Sequence, residues 1–212
     1  MKNLFQKITK RAIDITISSA SLVVLSPILL AVAYKIKNED KGPVFFMQER
    51  SGLNNVPFRI YKFRSMKINN KIIGSNQNGI DYSSWNKGVP DDFIFKTSSE
   101  SNPNVTKIGS TIRKYSIDEL PQVINVLRGE MSIVGPRPEI TQITNHYNEE
   151  QLKRLNVKPG ITGWAQVNGR GEIPHKQKID LDLWYIENQS ILLDIKIIWL
   201  TFWQVLVGKD TI

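Results

Sequence analysis

The chain has 212 residues, no cysteine, and 28 Lys plus Arg against 20 Asp plus Glu, a formal net charge of +8. That length holds one domain with a core, or a core plus a membrane element, and 41% hydrophobic with 23% charged residues excludes wholesale disorder. The missing cysteines exclude disulfides and thiolate metal sites. The basic excess favours an anionic partner, be it nucleic acid, anionic lipid or a phosphorylated substrate, without choosing among them.

Residues 15–34 run for twenty positions without a charge. As a helix this is about 30 Å, enough to cross a bilayer core. Asp14 stands at the entry, Ser26-Pro27 interrupts the run, and both flanks are basic: Lys2, Lys7, Lys10 and Arg11 before it, Lys35, Lys37 and Lys41 after it. Pro27 cannot donate to the carbonyl of Val23, which predicts a kink. Two positive flanks both prefer the cytoplasmic side, which suits a helix that enters, bends and returns to one face. A signal peptide, a straight spanning helix and a buried soluble helix compete with that reading.

Beyond it, extended patches around Val44–Phe46 and Phe58–Phe63 flank turn residues 52–55, which predicts a hairpin or two extended pieces. Residues 67–104, rich in Asn, Ser, Gly and Asp, read as a long surface loop. Residues 105–115 read as helical or mixed. Residues 116–131 read as a helix with an apolar stripe at Val123, Ile124, Val126 and Leu127, ended by Gly129. GPRPEI at 135–140 reads as a rigid turn, 141–156 as a polar, exposed helix, 157–174 as loop and 176–187 as a helix. The last segment, 191–210, is apolar on most sides and carries Trp199, Phe202 and Trp203. It suits either the membrane interface or a buried core position.

For chemistry, the adjacent acids Asp118 and Glu119 open a helix. Ser116 and Glu119 have capping-box spacing, Asp118 could be the cap, and Pro121 fits a first turn. Many helices start with acids, so the pair alone is ambiguous. Basic residues gather in turn-rich segments around it: Lys62 and Arg64, Arg113, Arg137 in GPRP and Arg170 in NGRG. Arginine suits bidentate phosphate recognition, although each one alone is more often a solvated charge. Acids and a pyrophosphate can share a site only if cations or a metal such as Mg2+ screen them. No Walker A sequence and no GxGxxG after a strand is present, and His146 and His175 lack metal-ligand spacing.

Four blocks then carry a resemblance: KRAIDITISSASLVVLSP; GPVFFMQERSG with FRIYKFRSM; IRKYSIDELPQVINVLRGEMSIVGPRPE; and VKPGITGWAQVNGR. In order and spacing, from residue 10 to residue 170, they resemble the catalytic core of the bacterial sugar transferases, small monotopic phosphoglycosyl transferases. Segment 67–104 does not match clearly, and Asn54-Asn55 stands where relatives often have a glycine.

The resemblance implies transfer of a sugar-1-phosphate from a UDP-sugar to polyprenyl (undecaprenyl) phosphate, with release of UMP, by a ping-pong reaction that needs Mg2+. Asp118 matches the attacking nucleophile and the metal-associated position, and Glu119 its acidic partner. Lys62, Arg113, Arg137 and Arg170 match basic positions that hold phosphate or nucleotide, and Ser26-Pro27 matches the break of a re-entrant membrane helix. The implied fold is α+β, mainly helical. It has a membrane-embedded re-entrant hairpin at 1–40, a catalytic unit with a small β-hairpin at 41–190 on the cytoplasmic face of the bacterial inner membrane, and an interfacial amphipathic helix at 191–212. Its partners are membrane lipid and the two substrates, not nucleic acid. Two rivals stand beside it: a basic, lipid-anchored binding module without catalysis, and a glycosyltransferase that leaves a nucleoside diphosphate.

Overall fold

In a computed structural model the described residues are 4–67, 82–94, 103–169 and 173–207. They are mainly helical, with two small two-stranded sheets. Helix α1 runs as one element from Leu4 to Asp40, with Pro27 inside it. The carbonyl of Val23 that Pro27 leaves without a donor accepts from Ser26 Oγ at 2.8 Å. By length and composition α1 can cross a membrane. Val23, Val24, Ile28 and Leu30 in its middle are exposed.

Both ends of α1 are fastened to the rest of the chain. Near the start, Arg11 donates to the carbonyls of Val126 (2.5 Å) and Leu127 (2.9 Å), and Lys10 pairs with Asp194 at 2.6 Å. Asp14, buried, accepts from Ser132 Oγ and the Ile133 N–H. That bond explains an acid at the mouth of an apolar run: it is a docking contact. At the far end Glu39 accepts from the N–H groups of Lys107 and Ile108, and Val32 and Ile36 pack on Phe63 and Ile112.

Strands β1 (Phe45–Ser51) and β2 (Pro57–Phe63) form the expected antiparallel hairpin. Asn54 and Asn55 turn it with φ of 55° and 61°. Asparagine tolerates that left-handed region, so these two positions need no glycine. Helix α2 (Lys107–Lys114) is capped by Thr106, whose side chain accepts from the Gly109 N–H. The expected single helix over 116–131 is instead a 3-10 turn, Ile117–Gln122, followed by α3 (Val123–Arg128), which Gly129 ends at φ 82°.

Strand β3 (Ser132–Val134) pairs in parallel with β4 (Gly160–Thr162), a pairing the sequence did not suggest. The backbones approach closely: a Cβ on Gly160 would lie 2.1 Å from the Gly135 nitrogen, so only glycine fits. Residues 141–156 are not one exposed helix. They break into α4 (Thr141–Thr144), α5 (Glu149–Leu152) and a 3-10 turn (Lys153–Asn156), with Ile143, Arg154 and Leu155 buried. The segment 157–174 also gains a short helix, α6 (Trp164–Asn168).

Part of the expected surface loop is core. Trp85 and Val89 are buried with Ile140, Ile143, Tyr147, Leu155 and Ile179, because its aromatic residues outweigh the surrounding Asn and Gly. Residues 68–81 and 95–102 of that loop reading lie outside the described residues. Helix α7 (His175–Asn188) leads to α8 (Ile191–Val207). Ile197 is buried, while Leu192, Ile195, Trp199, Phe202 and Trp203 are exposed, so α8 is not a core helix.

Candidate active site

Three elements meet at the acidic pair. Asn125, wholly buried on α3, accepts from the Tyr61 N–H at 3.0 Å and donates to the Arg59 carbonyl at 2.8 Å and to Glu130 at 2.7 Å. It thus acts as a strand partner for β2 and ties the hairpin to the helix behind the acids. That contact places Lys62 beside Glu119, 57 residues further along the chain, at 2.6 Å. The GPRP turn brings Arg137 to the same carboxylate from the other side, at 2.6 and 3.3 Å.

The expected capping box does not form. Ser116 lies at φ 52° and ψ 22° and makes no capping bond from its side chain. The Glu119 side chain is held by the two cations instead, and only its N–H reaches back, to the Ser116 carbonyl at 3.2 Å. A serine in the left-handed region is strained backbone, of the kind that collects at functional sites.

The two acids sit in different electrostatic settings. Glu119 is drawn well below the usual carboxylate range. Its burial works against this, but the charges and hydrogen bonds of Arg137 and Lys62 overcome it. Asp118, among the described residues, takes no part in these ion pairs. Burial and then the Glu119 charge push it up to about 6, with Lys62, Arg137 and Arg113 pulling the other way. A pair of carboxyls driven apart in this way suits distinct roles: one permanently charged, the other ionised near neutral pH yet basic enough to attack.

Of the basic residues singled out in the sequence, then, Lys62 and Arg137 converge on Glu119, and Arg113, at the end of α2, lies close enough to act on Asp118 through its charge. Arg170 falls outside the described residues. Arg64 is turned elsewhere: its guanidinium binds Asp40 at the end of α1.

Sequence reasoning missed several contributors. Arg154 is fully buried, pairs with Asp182 at 2.6 Å, and donates to the Arg137 carbonyl at 2.7 Å. Glu139, also buried, lies near Arg50 (3.9 Å) and Lys178 (3.8 Å); burial pushes it up, but the charges of Lys178, Arg154 and Arg50 hold it below the usual range. Asn125 did leave a signal, as a polar residue within the apolar stripe of 123–127. Arg154 left none, since it sits in a stretch that reads as polar surface.

The bacterial sugar transferase family matches residues 5–208. An uncharacterized sugar transferase, EpsL of Bacillus subtilis (strain 168), is 42% identical over 95% of this chain and 89% of its own length. The undecaprenyl-phosphate glucose phosphotransferase of Komagataeibacter xylinus is 44% identical over 95% of this chain and 36% of its own. The UDP-glucose:undecaprenyl-phosphate glucose-1-phosphate transferase of Xanthomonas campestris pv. campestris is 41% identical over 95% and 40% respectively. The chain thus spans about two fifths of the length of these phosphotransferases and most of EpsL. A match across nearly the whole described chain, together with the convergence of Lys62, Glu119 and Arg137, leads to one conclusion: the chain belongs to the bacterial sugar transferase family.

Proposed function

We propose that the chain is a phosphoglycosyl transferase that moves a sugar-1-phosphate from a UDP-sugar to undecaprenyl phosphate and releases UMP, as an initiating step in making a surface polysaccharide or glycoconjugate. The observation that carries this is the acidic pair with split properties: Glu119 locked between Lys62 and Arg137, Asp118 beside it outside those ion pairs. The relatives' names supply the substrate classes.

In the first step an Asp118 oxygen attacks the sugar-bearing phosphorus. The bond from that phosphorus to the bridging oxygen breaks, and UMP leaves with the electron pair. In the second, a phosphate oxygen of the lipid acceptor attacks the same phosphorus and the Asp118 carboxylate is regenerated. Covalent catalysis divides one hard transfer into two easier ones. Lys62, Arg113, Arg137 and Arg170 would oppose charge on the diphosphate and the departing nucleotide. Glu119 keeps Lys62 and Arg137 placed and raises the basicity of Asp118.

Mg2+ fits this donor set in one respect. It is often bound through one or two carboxylates plus substrate phosphates, and Asp118 is a carboxylate not occupied by the site's ion pairs. With the diphosphate, Asp118 would hold the ion, which when bound neutralises charge on the leaving phosphate.

We place the catalytic unit (41–190) on the cytoplasmic face of the inner membrane, with α1 entering the bilayer, bending at Ser26-Pro27 and returning, and α8 in the headgroup zone. Support comes from α1 being fastened to the catalytic unit at both ends, and from the exposed Trp199, Phe202 and Trp203.

The deciding assay combines detergent-solubilised protein, Mg2+, undecaprenyl phosphate and a panel of UDP-sugars, and identifies the nucleotide released. UMP is expected. UDP would mean an ordinary glycosyltransferase, and no turnover by folded protein would mean a binding module. Cysteines at residues 3 and 40 should label from the same side of the membrane; opposite-side labelling would show a spanning helix.

A further inference from the structure

The loop that carries Arg137 is held by its carbonyls. Pro136 and Pro138 have no N–H to give, so carbonyls are what such a loop offers a scaffold. Each is taken. The Pro136 carbonyl accepts from the Gly160 N–H at 2.8 Å, the Arg137 carbonyl from Arg154 at 2.7 Å, and the Pro138 carbonyl from Arg50 at 3.2 Å. Arg154 is 1% exposed and spends its other donors on Asp182 (2.6 Å) and the Tyr147 hydroxyl (3.0 Å).

A buried ion pair of this kind is weak as a stability device, because desolvation offsets much of the attraction. Its geometry is better explained by what it orients. Asp182 on α7 and Tyr147 after α4 fix the planar fork, and the fork's remaining arm fixes the backbone of the residue whose side chain clamps Glu119.

We infer that Arg154, oriented by Asp182, is a positioning residue for the reaction: it acts through Arg137, holding that guanidinium on Glu119 from beneath the loop. The inference rests on the proposed phosphoglycosyl transfer. Arg154, 1% exposed, is walled off from any substrate; it sets where Arg137 can be. A misplacement of about 1 Å at such a distance from the chemistry can cost on the order of a hundredfold in rate.

The test is a double-mutant cycle on the full chain in detergent, read as kcat/KM for the UDP-sugar. Arg154→Met with Asp182→Leu removes the pair together and leaves no uncompensated buried charge. This double change should lower kcat/KM by about tenfold to a hundredfold. In an Arg137→Ala background the same double change should cost less than about twofold, because its route is already gone. Arg154→Lys should restore part of the loss in the wild-type background, as a single donor to the Arg137 carbonyl.

An equal loss in both backgrounds, no loss in either, or failure of both the double variant and Arg154→Lys to fold would overturn the inference and leave Arg154 a structural residue. Wild-type turnover with UMP release is measured first. An inactive wild type refutes the proposed function, whereas an active wild type with an additive cycle refutes only the role of Arg154.

Discussion

Replacing Asp118 by Asn should remove turnover and, at neutral pH, make the protein more stable. The carboxyl rises from 3.8 to about 6 on folding, chiefly through burial and then through the Glu119 charge. Between pH 4 and 6 the folded state therefore keeps a proton that the unfolded chain has released, and ionising Asp118 works against folding. Stability from this group is complete below about pH 4, declines as pH rises to about 6 and is level above that. At 1.36 kcal/mol per pH unit the full rise has a ceiling of about 3 kcal/mol. Asp118 is only partly buried, and solvent screening reduces that to about 1 kcal/mol.

Asparagine is nearly isosteric and never ionises. At pH 7.5 the variant should melt about 2–4 °C higher than the wild type for a chain of this size. At pH 4 the two should coincide. Thermal unfolding in one detergent across pH 4 to 8 measures the difference, and an assay of UMP release measures the loss. A melting difference that does not change with pH, or an Asn variant that is less stable at pH 7.5, would refute the electrostatic reasoning. An Asn variant that still turns over would refute Asp118 as nucleophile.

The same geometry sets the pH dependence of the reaction. If Asp118 is the nucleophile of the proposed ping-pong reaction, kcat/KM for the UDP-sugar, which is then independent of the acceptor's ionisation, should fall on the acid side with a midpoint near 6, because the carboxyl must be ionised to attack. Glu119→Gln should move that midpoint lower, because the Glu119 charge raises Asp118, and should also slow turnover; a midpoint that moves up would contradict the assignment. Asn125→Ala strips partners from the Tyr61 N–H and the Arg59 carbonyl, and should destabilise by about 2–4 kcal/mol; denaturant unfolding that changes by less than about 0.5 kcal/mol would show that β2 is held by other means. Trp199→Ser with Trp203→Ser should reduce retention on liposomes in flotation while leaving the fold intact; unchanged retention would remove α8 from the interface.

The sequence by itself determined what depends on near neighbours. The uncharged run of α1, the hairpin around Asn54-Asn55, the stop at Gly129 and the apolar, aromatic last helix are short-range signals of hydropathy and turn chemistry, although they leave open whether that helix is buried or exposed. The acidic pair and its basic company stood out in the sequence but were ambiguous; the motif blocks gave them their expected roles and pointed to the family.

Only the tertiary structure decided which charges meet. Lys62 and Arg64 stand two residues apart, yet one clamps Glu119 and the other binds Asp40. Arg154 in an apparently polar stretch becomes a buried support because α7 brings Asp182 to it across 28 residues. Trp85 leaves a Gly- and Asn-rich segment for the core, and β3 finds β4 in parallel over a glycine-lined approach. In each case the deciding energy is a pairing or burial between distant residues, and local periodicity holds no record of which distant group the fold delivers.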